Sequence, residues 1–210
     1  MKQKQTTTMA FYALFVAIEL VLMFTPLGFI PLSAIKITTM HIPVIIAGIV
    51  LGVKGGSLIG AVFGICSVIN ATINPVPTSF VFTPFYSIGA VSGNFYSLLI
   101  AIVPRIMIGV VSALLYRFLK NLRTNDSIAT VICGFAGSMT NTVLVMGGIY
   151  LFFGPDYAAA LDMSYDLLLG AIMGIVTYNG VIEAIAAAVM VCVICKALTP
   201  MTRKYFHTNA

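Results

Sequence analysis

The chain has 210 residues, 60% of them hydrophobic and only 8% charged, with a mean hydropathy of +1.07; a soluble domain holds about 25% charged residues, so a water-soluble globular fold is excluded. The composition describes an all-α integral membrane protein, with room for six transmembrane helices at about 20 apolar residues each. Long apolar runs in place of alternating ten-residue segments exclude a transmembrane β-barrel, and the net charge of +5 does not indicate a nucleic-acid partner, because the bases cluster at the ends of apolar runs.

In chain order, the first predicted helix covers residues 8–24. Lys2 and Lys4 precede it as in a signal peptide, but no small-x-small cleavage site follows and further spans do, so it reads as an uncleaved first helix. Thr25-Pro26-Leu27-Gly28 ends it, and Pro31 predicts an irregular stretch. A second helix is expected over residues 37–51, a very tight turn at Val53-Lys54-Gly55-Gly56, and a third helix over 57–71. Residues 72–94, with Pro75, Pro77, Pro84, Gly89 and Gly93, read as a long irregular loop. The fourth helix is placed at 95–119, a basic turn at 117–126, and the fifth helix at 128–153, stopped by Gly154-Pro155. An acidic loop over 156–166 leads to a sixth helix at 167–198, long enough to need tilt or a break near Asn179-Gly180. No extramembrane stretch is long enough for a second domain, so residues 1–210 read as a single transmembrane domain.

Orientation follows from Lys and Arg. With a cytoplasmic N-terminus, Lys2, Lys4, Lys54, Arg117, Lys120, Arg123, Lys196, Arg203 and Lys204 all fall inside, nine of the eleven bases. Lys36 falls in an outside loop, Arg105 lies within the fourth helix, and Asp156, Asp162 and Asp166 occupy the last outer loop. Six helices with both termini cytoplasmic fit this distribution. Gly48, Gly52, Gly56, Gly60 and Gly64 recur every four residues, which lines one helical face with small residues and lets backbones approach closely.

Enzyme signatures are absent: there is no Walker A sequence, no H-E-x-x-H and no G-x-S-x-G. Cys66, Cys133, Cys192 and Cys195 all lie in apolar runs, and the C-x-x-C of the last two lacks the further ligands a metal site needs. No metal or cofactor is therefore expected, and no ATP hydrolysis by this chain.

Polar groups inside a membrane are costly and mark functional positions. These are Glu19 in the first helix, Thr38, Thr39 and His41 in the second, Asn70 at the end of the third, Arg105 in the fourth, Asn141 in the fifth, and Asn179 and Glu183 in the sixth. Asn179 and Glu183 are four residues apart and share a face. Arg105 is suited to bidentate capture of a carboxylate. The competing reading is an internal salt bridge from Arg105 to Glu183 or Glu19 that only staples helices together.

Six spans, small size and inside ends resemble the substrate-binding S components of energy-coupling factor (ECF) vitamin transporters. Ala13-Leu14-Phe15-Val16-Ala17 is an A-x-x-x-A stretch on the first helix. His41-Ile42-Pro43-Val44-Ile45 followed by Leu51-Gly52-Val53-Lys54-Gly55-Gly56 resembles the helix 2–3 region of many S components. Residues 70–83 (NATINPVPTSFVFT), Val103-Pro104-Arg105-Ile106, Gly137-Ser138-Met139-Thr140-Asn141-Thr142 and Tyr178-Asn179-Gly180-Val181-Ile182-Glu183-Ala184 look most like the pantothenate branch.

The resemblance implies a multi-pass protein of the bacterial plasma membrane. It would bind a vitamin from outside in a loop-capped pocket and associate with a transmembrane T component and two cytoplasmic ATPase subunits. Family members topple in the membrane to carry the pocket inward, and ATP hydrolysis by the partners drives release. Ala13 and Ala17 would then dock the T component. Pantothenate offers one carboxylate, one amide and two hydroxyls. Arg105 with Asn70, Asn74, Asn141, Asn179 and Tyr150 is a matching set, and His41 and Glu183 complete the candidate site. Riboflavin would need a large aromatic slot in a chain without Trp. Pyridoxine remains an alternative, and cationic thiamin stays open through Glu183 and Glu19. The rival class is a proton-coupled secondary transporter using Glu19, Glu183 and His41, but the chain is small and shows no internal repeat.

Overall fold

The computed structural model describes residues 2–32, 35–89 and 91–206. Helix α1 spans Lys2–Phe24, strands β1 (Phe29–Leu32) and β2 (Ile35–Thr38) form an antiparallel hairpin, and α2 runs over His41–Ile73. A 3-10 turn at Ser79–Val81 and a small hairpin of β3 (Ser87–Ile88) and β4 (Val91–Ser92) precede α3 (Phe95–Asn121) and α4 (Asp126–Ala160). The last stretch is continuous helix: α5 (Tyr165–Gly174), a π-helical turn at Ile175–Gly180, and α6 (Val181–Phe206). Five of these stretches are long and apolar enough to cross a membrane.

The 33 residues of α2 are two helices. Gly52 has φ 74° and ψ −168°, a conformation open to glycine because it lacks a Cβ. A Cβ on Gly48 and one on Gly56 would each lie 2.7 Å from the same Gly109 carbonyl oxygen. Eight residues of unbroken helix would hold them about 12 Å apart, so the chain doubles back at Gly52. The arm His41–Leu51 and the arm from Val53 to Ile73 therefore pack side by side against α3. Gly56, Gly60 and Gly64 continue the contact, since a Cβ on each would strike the α3 backbone at Gly109, Arg105 and Ala101–Ile102. The glycine spacing read in the sequence is thus the seam that brings α2 and α3 together. The turn falls at Gly52, ahead of the 53–56 stretch expected to form it, because only Gly52 leaves helical backbone angles.

Three further expectations are corrected. The stretch around Pro31 is paired rather than irregular; in a two-stranded hairpin every strand is an edge, where proline is tolerated. Thr38 and Thr39 lie before the second helix rather than within it. The Thr38 Oγ1 donates to the Gly28 carbonyl (3.0 Å) and accepts from the Met40 N–H (3.2 Å), and the Thr39 Oγ1 donates to the Leu27 carbonyl (2.6 Å). These bonds tie the hairpin to the turn after α1 and start the helix at His41. Gly154-Pro155 does not stop α4, which continues to Ala160; membrane helices tolerate proline where neighbours satisfy the freed carbonyl. In place of the tilt or break expected near Asn179-Gly180 there is a π-helical turn, which keeps the stretch helical.

The core has two apolar clusters. Phe11, Phe15, Met23, Val44, Ile45, Phe63 and Val191 join α1, α2 and α6, while Phe80, Ile100, Ile149, Phe153, Tyr157 and Leu168 join the 3-10 turn, α3, α4 and α5. Between the helix ends, residues 74–89 and 91–94 are anchored as a packed cap. The Ser97 Oγ accepts from the Asn94 N–H (3.0 Å) and donates to the Phe80 carbonyl (2.7 Å). The Thr72 and Thr83 hydroxyls share a hydrogen bond of 2.7 Å.

The glycine seam gives a direct test. Gly60→Ala should lower stability by about 1–3 kcal/mol, the cost of overpacking a closed contact. Gly147→Ala, whose Cβ would meet nothing within 4 Å, should be neutral or stabilising by up to ~1 kcal/mol through helix propensity. Thermal unfolding in detergent compares the two.

Candidate functional site

A proline and an arginine side by side in α3 build the centre of the site. Pro104 lies inside the helix and has no N–H, so the Ile100 carbonyl four residues earlier loses its helical donor. The Arg105 side chain takes that place: its Nη1 donates to the Ile100 carbonyl at 2.9 Å. The guanidinium carbon lies 5.2 Å from the ring centroid of Phe63 and 5.2 Å from that of Phe82. Two aromatic faces thus hold the cation by its charge and its flat surface. Phe63 comes from α2, and Phe82 follows the 3-10 turn of the cap.

Arg105 is 4% exposed, and among the described residues no carboxylate pairs with it. Among the described residues the one ion pair is Lys120–Asp126, at 2.7 Å in the turn between α3 and α4. Neither staple considered from the sequence forms: Glu183 and Glu19 make no ion pair with Arg105. Glu19 is fully buried on α1, and its carboxyl oxygens have no hydrogen-bond partner among the described residues. The Arg105 Nε likewise has none. One Nη1 bond spent on the backbone leaves the Nε–Nη2 edge, whose two parallel donors match a carboxylate.

Two cavities meet at this arginine. The first, about 450 Å³ with its mouth, is lined by Phe29, Thr38, Ser67, Asn70, Thr78, Phe82 and Arg105 among others. The second, about 560 Å³ with its mouth, is lined by Thr38, Phe82, Arg105, Asn141, Thr142, Asn179 and Glu183, with Val145, Met146, Ile175 and Gly180. Thr38, Phe82 and Arg105 line both, so the two are adjoining lobes of one site. The lobes lie where the two apolar clusters adjoin: lining residue Phe29 packs on one, and Phe82 packs on the other. The π-helical turn contributes Ile175, Asn179 and Gly180. Gly180 lets that turn sit on α4, since a Cβ there would meet the Thr142 side chain at 2.9 Å.

Of the residues singled out in the sequence, Arg105, Asn70, Asn141, Asn179 and Glu183 line these lobes. The buried Asn141 Oδ1 and the Ser67 hydroxyl have no partner among the described residues, which leaves them as hydrogen-bonding groups for a polar ligand in the lobes. His41, Asn74 and Tyr150 line neither lobe. His41 is buried at the first turn of α2, and Asn74 is exposed and closes the end of that helix through its N–H to the Asn70 carbonyl at 2.9 Å. Tyr150 stacks on Tyr165 with ring centroids 6.1 Å apart. Sequence reasoning missed Phe63, Phe82, Thr38 as a lining residue, and Thr142. The chain has 14 phenylalanines, and nothing local marks the two that flank a cation. Ala13 and Ala17 lie on the exposed face of α1, opposite buried Phe11, Phe15 and Glu19. Among the described residues no group of three His, Cys, Asp or Glu side chains is placed to hold a metal ion.

Comparison with known proteins places this geometry in context. A sequence profile described as "ECF transporter, substrate-specific component" matches residues 7–195. The chain is 38% identical over 203 residues to the pantothenic acid transporter PanT of Lactococcus lactis subsp. cremoris, covering 95% of this chain and 97% of that protein. It is 27% identical over 213 residues to the pantothenate transporter PanT of Leuconostoc mesenteroides, covering 97% and 98%.

The missing ion pair is open to a double-mutant cycle. Losses of thermal stability in Arg105→Ala and Glu183→Ala should add in the double variant to within about 0.5 kcal/mol. Recovery of stability in the double variant beyond that margin would mean that the two side chains form a structural pair.

Proposed function

This chain belongs to the family of ECF transporter substrate-specific components, and from that premise we propose that it is the pantothenate-binding subunit of an ECF-type importer. It is a multi-pass protein of the bacterial plasma membrane. In this reading it forms a single transmembrane domain of six crossings, the α2 hairpin supplying two, with both termini cytoplasmic. The distribution of charge supports that orientation. Lys54 follows the Gly52 reversal, and Arg117, Lys120 and Arg123 flank the turn between α3 and α4, whereas Asp156, Asp162 and Asp166 gather at the turn between α4 and α5.

The observation that carries the substrate assignment is Arg105, a buried cation with no acidic partner among the described residues, set at the junction of two lobes lined by neutral hydrogen-bonding groups. Pantothenate presents one carboxylate and otherwise only an amide and hydroxyls. Its carboxylate sits on the free edge of Arg105. Asn70, Asn141, Asn179 and Thr142 serve the amide and hydroxyls, with Glu183 accepting from a hydroxyl. His41, Asn74 and Tyr150 act from outside the lobes, on the shape of the site and its cap. The names of both relatives support the same vitamin.

Energy comes from partners in this proposal: a transmembrane T component and two cytoplasmic ATPase subunits. The exposed small-residue face of α1 at Ala13 and Ala17 docks the T component, because two alanines one turn apart admit a partner helix at close range.

Two outcomes are expected. Arg105→Ala should weaken pantothenate binding by about 2–4 kcal/mol, the range for breaking a buried hydrogen-bonded charge pair, while pantothenol, its alcohol analogue, binds both proteins almost equally. Isothermal titration measures this, and unchanged pantothenate affinity in folded Arg105→Ala contradicts the assignment. Ala13→Trp and Ala17→Trp should abolish assembly with the T component and ATP-driven uptake, yet leave pantothenate binding by the isolated subunit intact. Co-purification and liposome uptake read the two effects separately.

A further inference from the structure

Pro104 occupies an interior position of α3 with no need of a proline for capping, turning or stopping the helix, which runs on to Asn121. It leaves the Ile100 carbonyl without its helical donor. The only side-chain hydrogen bond described for Arg105 goes to that carbonyl, at 2.9 Å. In an unbroken helix the carbonyl would be committed to the N–H of residue 104, and Nη1 would compete with a backbone donor for it.

The main chain at Arg105 is also held, because the α2 hairpin at Gly60 lies against the Arg105 carbonyl so closely that a Cβ there would collide with it. Backbone and guanidinium are therefore fixed separately, the first by Gly60 and the second by the Ile100 carbonyl and the rings of Phe63 and Phe82. A guanidinium held by Nη1 and by two rings keeps Nε and Nη2 without a described hydrogen bond, and a side-on carboxylate takes both.

We propose that Pro104 is a positioning residue for ligand capture: by removing one helical hydrogen bond it frees the Ile100 carbonyl to hold the Arg105 guanidinium at the cavity wall, with Nε and Nη2 left for the ligand. This inference rests on the reading of Arg105 as the carboxylate anchor. The proline acts through the arginine and touches no ligand.

The test is Pro104→Ala, which restores the N–H and returns the Ile100 carbonyl to the helix. Isothermal titration of the full chain in detergent, with pantothenate and pantothenol, is run on wild type, Pro104→Ala, Arg105→Ala and the double variant, and thermal unfolding is recorded for each. Pantothenate affinity should fall roughly tenfold in Pro104→Ala, with pantothenol affinity unchanged and apo stability equal to or above wild type, since the helix regains a bond. In the Arg105→Ala background, Pro104→Ala should have no further effect on either ligand. Equal losses for both ligands, a loss that persists without Arg105, or pantothenate affinity unchanged in Pro104→Ala would each overturn the positioning role. Unchanged pantothenate affinity in Arg105→Ala would instead remove the anchor itself. Should Pro104→Ala lose stability, Pro104→Ser supplies the same N–H and carries the same expectations.

Discussion

A guanidinium buried in a membrane helix is the constraint around which the rest of this molecule is arranged. Placing arginine at the centre of such a helix costs about 2.5–3.5 kcal/mol even by insertion measurements. Here the cost is met by three contacts drawn from three parts of the chain: a carbonyl that Pro104 leaves without its helical donor, the face of Phe63 from α2, and the face of Phe82 from the cap. None of the three is an anion. The charge is held in place without being neutralised, which is the condition under which an incoming carboxylate gains the full interaction.

The glycine seam serves the same end. Gly48, Gly56, Gly60 and Gly64 bring both arms of the α2 hairpin onto α3 at backbone distance, and that approach puts Phe63 over the arginine. On the other side, the serine and threonine bonds at Ser97, Thr72 and Thr83 fasten the chain around Phe80 and Thr83 to the helix ends, and that stretch delivers Phe82. Close packing on one side and a hydrogen-bonded cap on the other converge on one side chain. The exposed alanines of α1 lie on the face opposite its buried Phe11, Phe15 and Glu19, so the docking surface and the ligand site proposed above are separate surfaces of one small bundle.

Much of this was legible in the sequence because the membrane makes polar residues conspicuous. In a chain that is 8% charged, Arg105, Asn141, Asn179 and Glu183 stand out within apolar runs, and the fold brings them to one cavity. The four-residue glycine spacing likewise announced a close helix contact. Other features were not legible, each for a physical reason. Pairing of β1 with β2 depends on a partner strand and on the Thr38 and Thr39 bonds to the preceding turn, so Pro31 alone suggested an irregular stretch. Pro155 looked like a stop because proline breaks helices in water, yet α4 runs through it. The Arg105–Glu183 pair was plausible from composition, but the guanidinium satisfied itself on its own helix through a proline one position away. The roles of Phe63 and Phe82 arise only from tertiary packing.

The central claim is that Arg105 waits for the carboxylate of the ligand. A structure of the chain with pantothenate bound tests it most directly. The account predicts the ligand carboxylate about 2.7–2.9 Å from the Nε and Nη2 of Arg105, with Nη1 still on the Ile100 carbonyl and the rest of the vitamin in the lobes beside Asn70, Asn141 and Asn179. A carboxylate bound elsewhere, with Arg105 turned onto Glu183, would contradict it.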